Sequence, residues 1–209
     1  MDRRQILSRL LSAAGFVSAA GLLPGALRAA APLAPTPAQT EGPYYPIDRP
    51  ADAGWNLLGG KPGGTALALS GRVLDTAGRP IAGARVEIWQ ADHQGIYDHP
   101  HATGRARFDP GFRGFGRATA DAEGRYWFLT QVPVRYTGRP PHIHAKVFVG
   151  GNEALTTQLY IPDHPDNRRD GIFAGLFGGD RSVLMMDIRD AGSPGPAAKA
   201  TAFDFVIQG

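Results

Sequence analysis

The segment from Arg135 to His144 concentrates side chains that can bind a metal ion. Its ten residues include Tyr136, Arg139 and the triplet His142-Ile143-His144. Because side chains alternate between the two faces of a β-strand, His142 and His144 would point the same way. Two imidazoles on one face can share a metal ion, although such a pair also occurs on ordinary strand surfaces. Taken alone, the pair favours an ordinary strand surface, and the rest of the chain must decide whether it is a metal site.

The composition limits the kind of metal site that the chain can form. Its 209 residues include 28 glycines, 18 prolines and no cysteine. Disulfides and thiolate ligands are therefore excluded, and a metal must be held by histidine, carboxylate or phenolate groups. The length fits one domain with a hydrophobic core, preceded by a leader.

Residues 1–31 predict an export signal. Asp2-Arg3-Arg4-Gln5-Ile6-Leu7 resembles the twin-arginine motif of proteins that are exported already folded. An apolar stretch then runs to Leu27, and Ala29-Ala30-Ala31 offers a small-residue cleavage site. Pro24 interrupts the apolar stretch, which argues against a lasting membrane span but leaves an uncleaved tether as an alternative. We therefore expect the mature protein in a periplasm or outside the cell. The twin-arginine route is favoured, and a general export signal is the alternative.

The leader also explains the basic isoelectric point of the chain. The formal net charge is +3 and the isoelectric point is about 9.4. The leader holds four arginines against one aspartate, so the remaining chain is close to neutral. The overall charge therefore gives no argument for nucleic-acid binding.

The chain after the leader predicts an all-β fold. Residues 32–40 are rich in proline and predict an extended linker, and residues 41–209 predict one β-sandwich of mostly antiparallel strands. Residues 168–178 have room for a short helix. Trp89 and Trp127 are assigned to the core. The predicted strands cover residues 67–74, 84–90, 125–130, 145–149 with the histidine pair before it, 155–161, 182–188 and 202–207.

Several motifs resemble those of one enzyme family, in the same order along the chain. They are Thr40-x-Gly42-Pro43-Tyr44, Glu87-Ile-Trp-Gln-Ala91 followed by Gly95-x-Tyr97, Phe108-Asp-Pro-Gly-Phe112, Gly116-Arg117-x-x-x-Asp121-x-x-Gly124-x-Tyr126, and the Tyr136 to His144 segment. The chain resembles the intradiol ring-cleavage dioxygenases, the family of protocatechuate and catechol dioxygenases, from about residue 36 to its C-terminus. It is most similar to compact, exported members of that family.

The resemblance implies a mononuclear non-haem Fe(III) cofactor. The ligands of the family fall on Tyr97, Tyr136, His142 and His144. Phenolate oxygen is a hard anionic donor that suits Fe(III), and the charge of the metal favours the deprotonated form of tyrosine. By the same resemblance, Tyr136 would be the more labile ligand and would act in catalysis.

The resemblance also implies a substrate pocket. Arg139 would stabilise the reacting form of a catecholate through its fixed positive charge. Gly42, Pro43, Tyr44 and Gln158 would contact the substrate, a catechol-type diol that reacts with O₂ to give a cis,cis-muconate-type diacid. The family usually assembles, which implies a homo-oligomer. Only five residues separate Tyr136 from His142, and the protocatechuate enzymes carry a longer, substrate-contacting loop there.

Three other interpretations are open at this point. The segment from Gly71 to Ala84 also resembles the opening of transthyretin-like, carboxypeptidase-associated β-sandwich domains, most of which bind partners without catalysis. A zinc or copper protein could use the His142–His144 pair. The loop histidines His93, His99 and His101 could form a rival zinc cluster, although their loop placement favours a solvated loop.

Overall fold

The structure, a computed structural model, describes residues 31–175, 181–192 and 195–208. The one α-helix among these residues is α1, Gly171–Ala174, which lies where a short helix is predicted. Short 3₁₀ segments cover Arg105–Arg107, Pro165–Arg169 and Arg181–Leu184. The strands are β1 Ala66–Asp75, β2 Arg85–Trp89, β3 Phe115–Thr119, β4 Arg125–Gln131, β5 His142–Val149, β6 Asn152–Tyr160, β7 Arg189–Asp190, β8 Lys199–Ala202 and β9 Phe205–Ile207.

The strands form the two sheets of a β-sandwich, as predicted. One sheet has the order β4-β1-β8-β7 with β9 also paired to β1, and the other has the order β3-β2-β5-β6. Pairing is antiparallel except where β8 and β9 run parallel to β1. The inward side chains of both sheets form one hydrophobic core, with Leu69, Val86, Phe128 and Ile143 among its buried members. The sheet that contains β2, β5 and β6 carries the two candidate histidine ligands, His142 and His144, on β5.

The last predicted strand, residues 202–207, is divided in two. Between β8 and β9 the backbone crosses closely over Gly71, where a β-carbon would lie 1.7 Å from the Phe203 carbonyl oxygen. The Tyr126 hydroxyl donates to that same oxygen at 2.7 Å. The break exists because β1 pairs with β8 before Gly71 and with β9 after it.

Two other sequence predictions are wrong. Residues 182–188 do not form a strand, because β6 ends at Tyr160 and only Met185 pairs with it, as an isolated bridge. Leu184 and Met186 are both buried, so every second side chain does face inward, but Leu184 belongs to a 3₁₀ turn and not to a strand.

Trp127 is 50% exposed and is not a core residue. Its neighbours in β4 face the core, so alternation places Trp127 on the outer face. Trp89 is buried as predicted.

Strand β3 was not predicted. Its sequence contains Gly116, which weakens the usual strand signal. A β-carbon at Gly116 would lie 2.3 Å from the Leu57 side chain, which is completely buried. The glycine therefore makes room for a core leucine from the preceding loop.

Residues 32–44 form an extended segment that packs on the sandwich, here called the N-terminal strap. The Thr36 amide donates to the Val206 carbonyl of β9 at 2.9 Å, and the Val206 amide donates to the Thr36 hydroxyl at 2.9 Å. The Gln39 amide donates to the Thr156 carbonyl at 2.8 Å. The Gln158 side chain donates to the Thr40 carbonyl at 2.9 Å. The strap therefore follows β6 to the end of the sheet that holds the histidine pair.

The predicted export signal, apart from Ala31, lies outside the described residues. Among the residues that the structure describes, no helix is long and apolar enough to cross a membrane.

Candidate metal centre and active site

Strand β5 brings the two predicted histidine ligands together. The Nε2 atoms of His142 and His144 lie 3.1 Å apart, and both residues are buried. The Nδ1 atom of His142 lies 2.6 Å from the Pro140 carbonyl oxygen. A carbonyl only accepts hydrogen bonds, so this contact places the proton on Nδ1 and leaves the Nε2 lone pair free. The pair therefore presents its Nε2 atoms toward one point.

Both imidazoles are held in the neutral form that binds metals. Burial, together with the nearby charge of Arg139, lowers the pKa of His142 to about 4. Burial, His142 and Arg139 together lower the pKa of His144 well below its usual value. A metal can therefore bind both nitrogens near neutral pH without first displacing protons from them.

Tyr97 is positioned by the turn that follows β2. The Asp92 carboxylate accepts hydrogen bonds from the amides of Gln94 at 2.9 Å and Ile96 at 3.0 Å, which fixes the loop. The Tyr97 side chain is buried, and its hydroxyl has no hydrogen-bond partner. Burial raises the pKa of the Tyr97 phenol well above its usual value, and the neighbouring Tyr136 raises it further. A buried polar group without a partner is costly unless a bound group satisfies it.

Tyr136 opens a tight turn that leads to β5. The Arg139 amide donates to the Tyr136 carbonyl at 2.7 Å, and Thr137 and Gly138 have φ angles of 39° and 79°. The Tyr136 ring lies 5.0 Å from the Tyr97 ring and 5.5 Å from the His142 ring, between centroids. Burial raises the pKa of Tyr136, and the charge of Arg139 opposes this rise. Tyr136 is half-buried, so it has more room to move than Tyr97.

These four side chains fit a metal ion. Two nitrogens 3.1 Å apart match one ion, since metal–nitrogen distances of about 2.1 Å give an angle of roughly 95° between them. Within the described ranges, no group of three His, Asp or Glu residues could hold a metal. The phenols of Tyr97 and Tyr136, whose rings lie beside the histidine pair, are the further donors that the sequence resemblance implies. A set of two imidazoles and two phenols suits a hard ion such as Fe(III).

Comparison with known proteins places the chain in a family. The dioxygenase family model matches residues 40–209. The chain belongs to the intradiol ring-cleavage dioxygenases. It is 38% identical over 162 residues to the protocatechuate 3,4-dioxygenase beta chain of Burkholderia cepacia, covering 72% of this chain and 67% of that protein. It is 32% identical over 168 residues to a hydroxyquinol 1,2-dioxygenase of a Rhizobium species, covering 71% and 53%.

A solved structure extends the likeness to the whole domain. The dioxygenase domain of a dioxygenase–carbohydrate-binding protein fusion from Streptomyces sp. SirexAA-E aligns with a TM-score of 0.66 and 36% identity, covering 84% of this chain and 99% of that one. By contrast, the alignments cover from about half to two thirds of the length of the first curated relatives.

Arg139 and Gln158, two predicted site residues, contact each other directly. Arg139 donates from Nη2 to the Gln158 amide oxygen at 2.8 Å. The same oxygen accepts a hydrogen bond from the Tyr160 hydroxyl at 3.0 Å. The Gln158 amide nitrogen donates to Thr40 of the strap, so both ends of this completely buried amide are used. Gln158 thus lies against Arg139 as part of a hydrogen-bond network.

The strap brings Gly42, Pro43 and Tyr44 to the site. Gly42 has a φ of +75°, and a β-carbon there would lie 3.3 Å from the His144 ring. Tyr44 stacks on Tyr97 with ring centroids 4.7 Å apart, and its ring centroid lies 6.0 Å from that of Tyr136 in an edge-to-face arrangement. Pro43 is exposed beside them. Glycine is needed where the strap passes His144, and Tyr44 forms one wall of the tyrosine cluster.

The loop histidines do not form a common cluster. His93 pairs with Asp109 at 3.2 Å, with Nδ1 facing the carboxylate. The rings of His99 and His101 lie 5.2 Å apart, and His99 also lies 5.6 Å from the Tyr44 ring. No metal-binding group that includes them occurs in the described part of the chain. His93 and His101 are exposed, which fits the solvated-loop interpretation, whereas His99 is buried and does not.

Three residues of the site were not predicted from the sequence. The Trp89 ring stacks on His144 with centroids 4.8 Å apart and an angle of 12° between the planes. This stacking orients an imidazole whose buried Nδ1 has no hydrogen-bond partner. Tyr160 and Asp170 contact the Arg139 guanidinium. The only sequence signal for Asp170 is its position before a short apolar helix, where aspartate is a common N-cap.

We expect Gly95→Ala to disturb the contact between the two tyrosine segments. A β-carbon at Gly95, where φ is +77°, would lie 2.7 Å from the Arg135 carbonyl oxygen and 3.3 Å from the Tyr136 β-carbon. The variant should therefore separate the Tyr97 loop from the Tyr136 turn. Iron stoichiometry and visible absorption after reconstitution would measure the loss.

Gly83→Ala is the matched control for this change. Gly83 has a similar φ of +71°, but nothing lies within 4 Å of the added carbon. It should lose roughly 1–2 kcal/mol of stability from the left-handed backbone alone and should bind iron normally. Equal iron binding by both alanine variants would show that the close approach at Gly95 does not position Tyr136.

Proposed function

We propose that this protein is a non-haem Fe(III)-dependent intradiol dioxygenase. It would cleave a catechol-type diol with O₂ between its two hydroxyl carbons and give a cis,cis-muconate-type diacid. The observation that carries the proposal is the convergence of two neutral imidazoles and two phenols, one of them the buried and unpartnered Tyr97. Membership of the intradiol family supports the same reaction.

Tyr97, Tyr136, His142 and His144 would hold the iron. When bound, Fe(III) would supply the Lewis acid that binds the diol as a catecholate and allows the ring to react with O₂. The two imidazoles are already neutral because burial lowers their pKa values. The two phenols would lose their protons on metal binding, because the charge of the ion favours the phenolate form.

The two tyrosines would have different roles. Tyr97 is buried, whereas Tyr136 is half-buried and lies in a turn outside the regular strands. Tyr136 therefore has room to leave the metal when a diol binds. Its phenolate oxygen would then accept one proton from the incoming diol, as a general base. Tyr97 would stay in place and keep the site organised.

The surrounding residues would bind and orient the substrate. The Arg139 guanidinium lies near the phenol of Tyr136 and would stabilise negative charge on the reacting ring. Tyr44 covers the tyrosine pair and would exclude water from one side. Gly42 lets the strap approach His144, and with Pro43 it would line the pocket. Gln158 would act on the substrate through its contact with Arg139.

The rival interpretations have less support. The family match extends over the whole sandwich, which favours the enzyme over the transthyretin-like binding module. A zinc or copper protein would have no evident need for two tyrosines beside the histidine pair. We further propose that residues 1–31 direct export and that iron is inserted before export, since a twin-arginine route carries folded proteins.

The decisive experiment is a visible spectrum of the purified mature protein, with metal analysis of the same sample. Iron near one equivalent and a broad tyrosinate-to-Fe(III) band are expected. The band should shift when catechol, protocatechuate or hydroxyquinol is added without oxygen, and admitting O₂ should then give the diacid. A protein that stays colourless after reconstitution with iron would overturn the proposal, and bound zinc would favour the zinc alternative.

A further inference from the structure

The charge of Arg139 is paired with a buried carboxylate. Its Nε donates to Asp170 Oδ1 at 3.1 Å, and its Nη2 donates to Asp170 Oδ2 at 2.9 Å. The two bonds are parallel, which is the geometry in which a carboxylate fixes both the position and the plane of a guanidinium. The side chain of Asp170 is 2% exposed and that of Arg139 is 18% exposed. The pair is therefore largely shielded from water.

Other side chains complete the support on the same edge of the guanidinium. Nη2 also donates to Gln158 at 2.8 Å and lies 3.4 Å from the Tyr160 hydroxyl. Gln158 is itself tied to Thr40 of the strap. The Nε and Nη2 side of Arg139 is thus fully used by the protein. The part of the guanidinium that remains for the substrate is the Nη1 group, which makes none of these bonds.

Asp170 is itself rigidly placed. Its carboxylate caps α1 by accepting a hydrogen bond from the Ile172 amide at 3.2 Å. Its backbone carbonyl accepts from the Ala174 amide at 2.8 Å. The helix and the ion pair therefore share one anchoring residue, and movement of α1 would move Arg139.

We infer that Asp170 is a positioning residue for Arg139, and this inference rests on the proposed function. The carboxylate holds the guanidinium in the one orientation that faces the reacting diol. Because Asp170 also neutralises most of its charge, Arg139 would act through directed hydrogen bonds more than through net positive charge. A lysine at position 139 could not make two parallel hydrogen bonds to the Asp170 carboxylate and would therefore not replace the arginine.

A double-mutant cycle on iron-loaded protein tests this inference. Arg139→Ala should lower kcat/KM by about 100-fold or more. Asp170→Asn, which can still cap α1, should lower it by about 10-fold, as loss of a supporting residue typically does. In the Arg139→Ala background the asparagine should change kcat/KM by less than about 2-fold, because a residue that acts through Arg139 has nothing left to position.

Two readouts separate positioning from a general structural effect. The anaerobic affinity for catechol, read from the visible band, should change little in Asp170→Asn while kcat falls. The unfolding midpoint should drop by about 10 °C in Asp170→Asn, because it leaves a buried arginine unpaired, and should recover in part when Arg139 is also removed. If the asparagine variant does not fold, Asp170→Glu keeps the charge and displaces it, with the same expected loss of kcat.

Asp166→Asn is the matched control. Asp166 is a buried carboxylate of the same segment, but it pairs with the exposed Arg135 at 3.3 Å and has no contact with Arg139. This control should keep nearly full kcat. An unchanged kcat in Asp170→Asn, or an equal loss with and without Arg139, would overturn the positioning role alone. An inactive iron-loaded wild type would overturn the proposed function and this inference with it.

Discussion

Replacing Tyr97 with phenylalanine is expected to abolish the visible band and ring cleavage without destabilising the metal-free protein. The Tyr97 hydroxyl is buried and has no hydrogen-bond partner in the folded chain. Removing such a group costs nothing and relieves a desolvation penalty of about 1–3 kcal/mol. The metal-free variant should therefore unfold at the same temperature as the metal-free wild type or above it. In the iron-loaded wild type this desolvation penalty should be absent, because the Tyr97 oxygen would then bind the iron.

Tyr126→Phe is the control for this prediction. Tyr126 is also fully buried, but its hydroxyl donates to the Phe203 carbonyl at 2.7 Å, and its strand β4 belongs to the other sheet from the histidine pair. Its removal should lower the free energy of unfolding by about 1 kcal/mol and leave iron binding and colour intact. The two variants should thus show opposite patterns in thermal unfolding and in absorption. A coloured, active Tyr97→Phe protein would exclude Tyr97 as a ligand.

The histidine pair could be predicted because it depends on local geometry. A strand places every second side chain on one face, so two histidines separated by one residue must share a face. The proline carbonyl that sets the tautomer of His142 is also close in sequence. The two tyrosines, by contrast, come from separate loops. Their approach depends on Gly95 passing close to Arg135, which no local pattern reveals. Only the resemblance to the family linked them.

The support around Arg139 could not be predicted for the same reason. Asp170 lies 31 residues from Arg139 and Gln158 lies 19 residues away. Each of these side chains taken alone is typical of an exposed polar position. Both are buried where segments distant in sequence meet, since Gln158 bonds to Thr40 and Arg139 and Asp170 bonds to Arg139. The error at Trp127 is different, since strand alternation alone already placed it on the outer face.

Removing residues 32–40 should damage both the stability and the active site. The sequence predicts a linker there, but the strap makes six hydrogen bonds to the sandwich, through Leu33, Thr36, Pro37, Gln39 and Thr40. At about 1 kcal/mol each, offset in part by the entropy of the released chain, their loss is a large fraction of a typical domain stability. The truncation also removes Thr40, whose carbonyl accepts a hydrogen bond from the buried Gln158 amide. Gln158 in turn contacts Arg139.

We therefore expect a protein that begins at residue 41 to unfold about 10 °C below one that begins at residue 32. Its kcat/KM should be about 10-fold lower at a temperature where both are folded, because Arg139 loses part of its support. A protein that begins at residue 35 is the control. It loses only the contact between Leu33 and Thr76 and should resemble the longer chain. If the shortest protein matches the longest in both measurements, residues 32–40 are a linker and the functional domain begins at residue 41.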